Sequence, residues 1–408
     1  MTRTVLHGGL VFDGSGSPPQ RADVVIEDDR IVEVGLGLDA DVAVDVSGAT
    51  VLPGFFDCHV HVMSSGVDRM RHLVEPFSYQ FYTAARNLAA TLATGVTTVR
   101  DAGGADMGVR QAVADGLIAG PNLLIAVNII GQTGGHTDGW FASGYDMPLA
   151  LPHPGRPAAL ADGVDELRKV VRTLLRAGAD VIKICTTGGV LSPLDDPTHA
   201  HFRPEEIEAV VAEAAAAGRV VMSHAQGTVG IKNAIRAGVR SIEHGIYLDD
   251  EAIDLMLSHG TWLVPTLVAP RSVLAAAAAG AQLPPAVIHK ASEVVEAHRD
   301  SVRAAVAAGV NVAMGTDSGV GPHGRNLDEL PLMRDCGMSP EQALVATTSG
   351  AARLCGLQDR LGRLAPGLTA DLVVVDGDCL DLDGLAGRIR AVWQGGRAVV
   401  GTDGGSTG

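Results

Sequence analysis

The sequence is poor in cysteine, positive charge and long apolar runs, and each shortage excludes a class of protein. Five cysteines among 408 residues, with no C-x-x-C pair, do not form a disulfide framework and indicate a reducing compartment. Lysine and arginine total 31 against 47 acidic residues, and this net charge of −16 disfavours nucleic acids and anionic membranes as partners. Neither a signal peptide nor a run near the ~20 apolar residues of a membrane helix is recognisable. We therefore expect a soluble cytoplasmic protein.

Apolar residues are abundant, 46% of the chain, and they follow two patterns. Residues 1–53 and 360–408 contain short β-rich segments separated by Gly, Asp and Pro, so we expect the two ends to pair into one small β-sandwich domain. Residues 54–359 alternate short apolar runs with alanine-rich helical patterns, and this alternation is typical of parallel βαβ units.

Eight apolar runs occur in this middle region. They are 54–59, 96–100, 122–127, 181–185, 220–224, 241–244, 262–265 and 310–315. Eight units over about 300 residues predict the α/β class and, within it, a TIM-like (β/α)8 barrel. A doubly wound open sheet is the alternative, which the lack of a G-x-G-x-x-G turn between strand and helix weakens.

Polar side chains cluster at the carboxyl ends of these runs, the face where barrel enzymes hold their chemistry. They are His59, His61, Lys183, His224, His244 and Asp317. His59 and His61 are two residues apart on one strand, so both imidazoles point the same way. Taken singly, each histidine is compatible with a hydrogen-bonded core residue, and Asp317 with a helix N-cap. Lys183 is harder to explain structurally, because a buried ammonium needs a partner or a shifted pKa.

Together these residues resemble the amidohydrolase superfamily, in its two-metal subtype with a carboxylated lysine. The resemblance covers nearly the whole chain. Closer similarity to the prolidase-like, imidazolonepropionase-related branch comes from 134–136, 183–189, 223–225, 230–234, 241–245 and 322–324. That branch includes Xaa-Pro dipeptidases, dipeptidases for C-terminal Arg or Lys, and hydrolases of N-acyl amino acids and ochratoxin-type amides.

The resemblance implies a role for each polar residue. His59, His61 and Asp317 would hold one divalent metal ion, His224 and His244 a second, and a CO₂-derived carbamate on Lys183 would bridge the two. Imidazole and carboxylate ligands suit Zn²⁺. A hydroxide shared by the metals would attack the carbonyl of an amide, with Asp317 as general base and then acid. The expected substrate is a dipeptide such as Xaa-Pro or Xaa-Arg/Lys, or an N-acyl amino acid.

Further residues are candidates for binding this small-molecule substrate. His136 follows the third run and would polarise the carbonyl or bind a carboxylate. The backbone N–H groups around Thr187 and Gly188 would cradle a carboxylate, and Arg325 is a candidate anion partner. Gln226 stands where dipeptidase relatives often have tyrosine. Possible pocket walls come from Trp140, Phe141 and Tyr145.

Two other functions stay open at this stage. An imidazolonepropionase-like cyclic amide hydrolase or deaminase would use one metal, and Lys183 argues against it because those enzymes lack the bridging lysine. A non-catalytic scaffold with the same fold would have lost ligands, yet all six ligand positions are filled here. A homo-oligomer is compatible with such a fold, and nothing in the sequence sets its order.

Overall fold

The protein belongs to the predicted α/β class, with helices and parallel strands alternating along its middle region. The structure, a computed structural model, describes residues 2–68, 74–141, 143–192 and 195–401. Within that part of the chain no helix combines the length and apolar character needed to cross a membrane. All five cysteines are free thiols.

The parallel strands coincide with the predicted apolar runs. They are β8 (Phe55–Val60), β9 (Val96–Asp101), β10 (Asn122–Ile125), β11 (Ile129–Ile130), β12 (Ile182–Cys185), β13 (Val221–Ala225), β14 (Ser241–His244) and β15 (Trp262–Val264). They form one sheet in the order β10-β9-β8 and a second in the order β11-β12-β13-β14-β15. β10 lies in the third run, whereas β11 begins just beyond the end of that run, after a break at Val127, whose φ is 67°.

The eighth run joins the two parallel sheets, although it is too irregular to count as a strand. The backbone N–H of Leu263 in β15 donates to the carbonyl of Asn311 at 2.8 Å. On the other side of the run, the N–H of Cys58 in β8 donates to the carbonyl of Met314, also at 2.8 Å. Because parallel strands run in one direction, their carboxyl ends are thereby brought to a common edge.

Helices alternate with the parallel strands along the chain. They are α1 (Tyr79–Leu92), α2 (Met107–Ala114), α3 (Gly163–Arg176), α4 (Pro204–Ala216), α5 (Thr228–Ala237), α6 (Asp250–His259), α7 (Val268–Ala278), α8 (Pro285–Ala308), α9 (Glu329–Asp335), α10 (Pro340–Ala346) and α11 (Ser349–Leu354). The sequence pattern reads as one helix over 340–355, but it is broken between α10 and α11. There the carbonyl of Thr347 accepts a hydrogen bond from the N–H of Phe56 at 2.7 Å, so it serves β8 rather than the helix.

The two ends of the chain share a sheet, as the sequence predicts. The antiparallel and mixed strands are β1 (Arg3–His7), β2 (Leu10–Val11), β3 (Gln20–Arg21), β4 (Asp23–Glu27), β5 (Arg30–Gly35), β6 (Val42–Asp45), β7 (Ala49–Pro53), β16 (Leu372–Asp376), β17 (Ile389–Gln394) and β18 (Arg397–Val400). One sheet has the order β5-β4-β1-β6 and the other β18-β17-β16-β7-β2-β3. Side chains from both sheets, such as Leu6 and Leu372, join one buried apolar cluster. Met1 and residues 402–408 of the predicted small domain lie outside the described residues.

Candidate metal centre and substrate cavity

The six predicted ligand positions lie at the carboxyl ends of the parallel strands. His59 is in β8 with His61 just beyond it, Lys183 is in β12, His224 is in β13, His244 ends β14, and Asp317 follows the eighth run. Ligand atoms of His59, His244 and Asp317 all lie within 4.8 Å of one another. The ring of His244 is 5.0 Å from that of His59 and 4.8 Å from that of His224, measured between centroids. The fold therefore gathers groups that are up to 258 positions apart in the chain into one cluster.

The backbone is unusual at two of these positions. His244 has a φ of 73° and Asp317 a φ of 58°, both in the left-handed region that side chains other than glycine rarely adopt. Such conformations cost of order 1–3 kcal/mol each and are concentrated at functional sites. Oδ1 of Asp317 is thereby placed 3.3 Å from Nε2 of His61 and 3.5 Å from Nε2 of His59.

The ring of His59 is oriented by a buried carboxylate, which is itself paired with a buried arginine. Its Nδ1 lies 2.7 Å from Oε2 of Glu243 in β14, and Glu243 also accepts from Nη2 of Arg100 in β9 at 3.0 Å. Despite its burial, Glu243 has its pKa lowered to about 2 by Arg100 and His59, so it is an ionised acceptor. Nδ1 of His59 is therefore the protonated nitrogen, and Nε2 is left with a lone pair facing Asp317.

Each of the other three imidazoles also has one nitrogen engaged by the protein. Nδ1 of His61 lies 2.8 Å from the carbonyl of Gly103, and Nδ1 of His244 lies 2.7 Å from Oγ1 of Thr266. His224 is the reverse case, because its Nε2 lies 2.9 Å from the carbonyl of Gly188. A carbonyl only accepts, so His61 and His224 donate from these nitrogens and keep the opposite one for a ligand.

Lys183 is the least satisfied polar group of the site. The residue is 2% exposed, and its Nζ has no hydrogen-bond partner among the described residues. Burial lowers the pKa of this amine, opposed by the nearby carboxylates of Glu243 and Asp317. An amine without a partner in such a place is costly to bury, and a lowered pKa favours its neutral, nucleophilic form.

These features fit divalent metal ions. Among the described residues, Nζ of Lys183 and Oδ1 of Asp317 are buried polar atoms without hydrogen-bond partners, and they face the imidazole cluster. Burial and the Lys183 charge lower the pKa of His59 to about 4. Burial also lowers the pKa of His244 well below its ordinary value, and the imidazoles of His61 and His59 outweigh burial to hold the pKa of Asp317 below its usual value. Neutral imidazoles and an ionised carboxylate are the forms that bind metals.

The cluster lies in a cavity of about 350 Å³. Its walls are mainly apolar, from side chains such as Phe141, Met147, Val190 and Val287. This size suits a small molecule. Of the three aromatic residues predicted to form a wall, Phe141 lines the cavity, while Trp140 and Tyr145 are more than half exposed and do not.

His136 and Gln226 both line the cavity. The ring of His136 stacks on that of His224, with centroids 4.3 Å apart and planes 14° from parallel. Gln226 is buried, and its Oε1 has no hydrogen-bond partner among the described residues. Gln226 therefore offers an unused acceptor beside the metal cluster.

The other predicted substrate contacts do not reach the cavity. The N–H of Gly188 donates to the carbonyl of His199, and Oγ1 of Thr187 accepts from the backbone N–H of Gln226, so these two groups are already used within the protein. Arg325 is 70% exposed and pairs with Asp328 at 2.7 Å, because the turn after Asp317 carries it to the surface.

Residues with no predicted role also shape the site. Arg156 is fully buried against the cavity, donating to the carbonyls of Gly104 and Leu151 and to Oε1 of Gln80. Glu243 was visible only as part of the motif around His244. Glu243 is an acidic residue within an apolar strand. A buried carboxylate needs a partner, so this position is the one signal in the sequence that indicates its role.

Comparison with known proteins agrees with this geometry. The model of the Amidohydrolase family matches residues 50–400. Ochratoxinase of Aspergillus niger is 34% identical, over 97% of this chain and 86% of the relative. A Xaa-Pro dipeptidase solved with methionine in its active site is 34% identical, with a TM-score of 0.89 over 98% of this chain and 100% of its own. A prolidase complexed with N-methylphosphonate-L-proline is 37% identical, with a TM-score of 0.90 over 98% of this chain and 100% of its own.

Proposed function

The chain belongs to the amidohydrolase family, and from this premise we propose that it is a two-metal hydrolase of a small amide or dipeptide. The substrate class is a dipeptide such as Xaa-Pro or Xaa-Arg/Lys, or an N-acyl amino acid. The similarity to ochratoxinase and to a Xaa-Pro dipeptidase supports cleavage of an amide or peptide bond.

The observation that carries the proposal is the pairing of an imidazole–carboxylate cluster with an unpartnered buried amine. Four histidines and Asp317 lie together at one edge of the strands, and Nζ of Lys183 is buried in the same cavity without a hydrogen bond to any described residue. A structural role would leave Lys183 costly to bury, because its amine makes no hydrogen bond to the described residues and only the nearby carboxylates of Glu243 and Asp317 offset its desolvation. A ligand role explains both the location and the missing partner.

The residues divide into two ligand sets. His59, His61 and Asp317 would hold one ion, and His224 and His244 the other. Addition of CO₂ to the neutral amine of Lys183 would form an N–C bond and release one proton, which would turn the amine into a carbamate anion with two oxygens. When bound, divalent ions such as Zn²⁺ polarise the scissile carbonyl and lower the pKa of the attacking water.

Asp317 and His136 would act on the substrate itself. The carboxylate of Asp317 stays ionised, so it accepts a proton from the attacking water and returns it to the leaving nitrogen. His136 lines the same cavity and would donate to the substrate carbonyl or to a carboxylate. Ser or Cys nucleophiles are not needed for this chemistry.

The proposal includes the family architecture. Residues 54–359 would form the (β/α)8 barrel, and 1–53 with 360–408 the small β-sandwich. Backbone hydrogen bonds from Leu263 and Cys58 to the eighth run support closure of the barrel. The apolar cluster shared by the two terminal sheets supports the sandwich.

The test combines metal analysis with a substrate screen. Protein stripped with a chelator is reloaded with Zn²⁺ and bicarbonate, its bound metal is counted, and it is assayed against libraries of Xaa-Pro, Xaa-Arg, Xaa-Lys and N-acyl amino acids. We expect two ions per chain and turnover of at least one library, abolished in Asp317→Asn. Mass spectrometry under native conditions should show the mass of CO₂ on Lys183.

Each alternative has its own result. One ion per chain with turnover of a cyclic amide would support the imidazolonepropionase-like function instead. Fully metallated protein that hydrolyses nothing would support a scaffold. Turnover of esters or lactones without any amide would refute the amide assignment.

A further inference from the structure

A lysine outside the metal cluster holds the loop that contacts His136. Lys290 is on α8, and its Nζ donates to three backbone carbonyls of the loop after β12. The acceptors are Gly189 at 2.8 Å, Ser192 at 2.6 Å and Asp195 at 2.9 Å. A fourth contact, at 3.5 Å, reaches Oδ1 of Asp195. All three N–H bonds of the ammonium are thereby directed at one loop.

The same three loop residues are the ones that contact His136. Oγ of Ser192 lies 2.7 Å from Nδ1 of His136, and Oδ2 of Asp195 lies 3.4 Å from the same atom. Gly189 is packed so closely that a Cβ there would be 2.2 Å from Cε1 of His136. The hydroxyl of Ser192 gives its proton to Asp195, so it accepts from Nδ1–H of His136. Nε2 of His136 is then the nitrogen left for the cavity.

We propose that Lys290 is a positioning residue, which acts through the loop of Gly189, Ser192 and Asp195 to set the orientation of His136 toward substrate. The proposal rests on the proposed function, since it names a further residue that the same reaction needs. Lys290 touches neither the cavity nor any proposed metal ligand among the described contacts. Its effect must therefore pass through His136.

Burial makes a purely structural role a poor explanation. The carboxylate of Asp195 is 4% exposed, and its pKa is lowered, against the effect of burial, by His136, Ser192 and Lys290. Buried ion pairs add little net stability compared with apolar residues of the same volume. The buried contact between Lys290 and Asp195 is better explained if it orders a side chain that binds substrate.

A double-mutant cycle with His136 tests the proposal. In the wild-type background, Lys290→Met should lower kcat/KM by about 10- to 100-fold, the usual effect of removing a group that orients an active-site residue. In a His136→Gln background the same change should alter kcat/KM less than twofold, because the residue through which Lys290 acts is already gone. Equal losses in both backgrounds would overturn the proposal.

Two controls separate positioning from folding. Lys232→Met removes a lysine of similar exposure, 14% against 13%, which pairs with Asp249 and Glu251 and makes none of the described hydrogen bonds to Gly189, Ser192 or Asp195, and it should leave kcat/KM unchanged. Ser192→Ala deletes the hydroxyl that contacts His136 but keeps Lys290, and it should show the same dependence on His136. If it lowers kcat/KM equally in both backgrounds, the route through the loop is wrong.

Crystal structures make the test independent of activity. In Lys290→Met we expect the ring of His136 to leave its 2.7 Å contact with Ser192 or to occupy more than one orientation. An unchanged His136 in that structure would refute the positioning role, whatever the substrate. Wild-type protein that hydrolyses no amide would instead refute the proposed function.

Discussion

Oε2 of Glu243 accepts a hydrogen bond from Nδ1 of His59 across a distance of 2.7 Å, with both side chains almost completely buried. The two residues belong to β14 and β8, which are not neighbours in the sheets. Arg100 completes the arrangement from β9, donating to both carboxylate oxygens of Glu243. A carboxylate that fixes the tautomer of a metal-binding histidine is a common support for such sites.

Removing the negative charge of Glu243 should weaken metal binding. We expect Glu243→Gln to lower the affinity for the ion that we propose His59 binds by about 10- to 100-fold, as measured by chelator competition. The variant also leaves Arg100 buried without its partner, which should reduce the free energy of unfolding by about 3–5 kcal/mol. Glu251→Gln, at an exposed ion pair, is the control. Wild-type metal affinity in a folded Glu243→Gln protein would contradict this role.

Replacing Lys183 should separate stability from metal binding. Methionine keeps an unbranched apolar side chain and removes an amine that has no hydrogen-bond partner among the described residues, so Lys183→Met should stabilise the metal-free protein by about 1–3 kcal/mol. The same variant should lose bound metal. Urea unfolding of the apo-protein and metal analysis measure the two effects. A clear loss of apo stability would mean that the amine contributes to the fold.

Gln226 should contribute to substrate binding rather than to stability. Its Oε1 is buried in the cavity without a partner, so it is free to accept a hydrogen bond from substrate. Loss of one such bond is worth about 1 kcal/mol, so Gln226→Met should lower kcat/KM roughly five- to tenfold. The melting temperature should not fall. If kcat/KM is unchanged on the preferred substrate, Gln226 does not contact it.

Asp371 should make the stability of the protein depend on pH. This carboxyl accepts from the N–H of Gly395 at 2.7 Å, and burial raises its pKa from the ordinary 3.8 to about 6. The folded state therefore prefers the protonated form, and stability is lost as pH rises from about 4 through 6. The loss approaches about 3 kcal/mol above pH 6, from a shift of about two pH units.

Asp371→Asn tests this pH dependence, because it keeps the site neutral at every pH. Relative to wild type, the metal-free variant should gain stability between pH 4 and 7 in urea unfolding. Asp359→Asn, at an exposed position, should leave the pH profile as it is. Parallel profiles for wild type and Asp371→Asn would show that this carboxyl does not titrate in that range.

Much of the candidate site was predictable because the convergence of strand ends follows from topology. Once short apolar runs alternate with helices, the polar residues that end those runs must meet, and His59, Lys183, His224 and Asp317 do. The predicted contacts from loops were less successful. Arg325 lies only eight residues beyond Asp317, yet its turn takes it to the surface. Loop paths depend on contacts that periodicity does not encode.

The sequence by itself determined the residue types, their positions at strand ends and the two-residue spacing of His59 and His61. Strand geometry is enough for this, because residues two positions apart on a strand point to the same face of the sheet. Only the tertiary structure decided which atom each imidazole presents, since that depends on partners such as Glu243, Gly103 and Gly188 from other elements. It also decided that Lys290 holds the loop beside His136, since helix packing brings together residues that are remote along the chain.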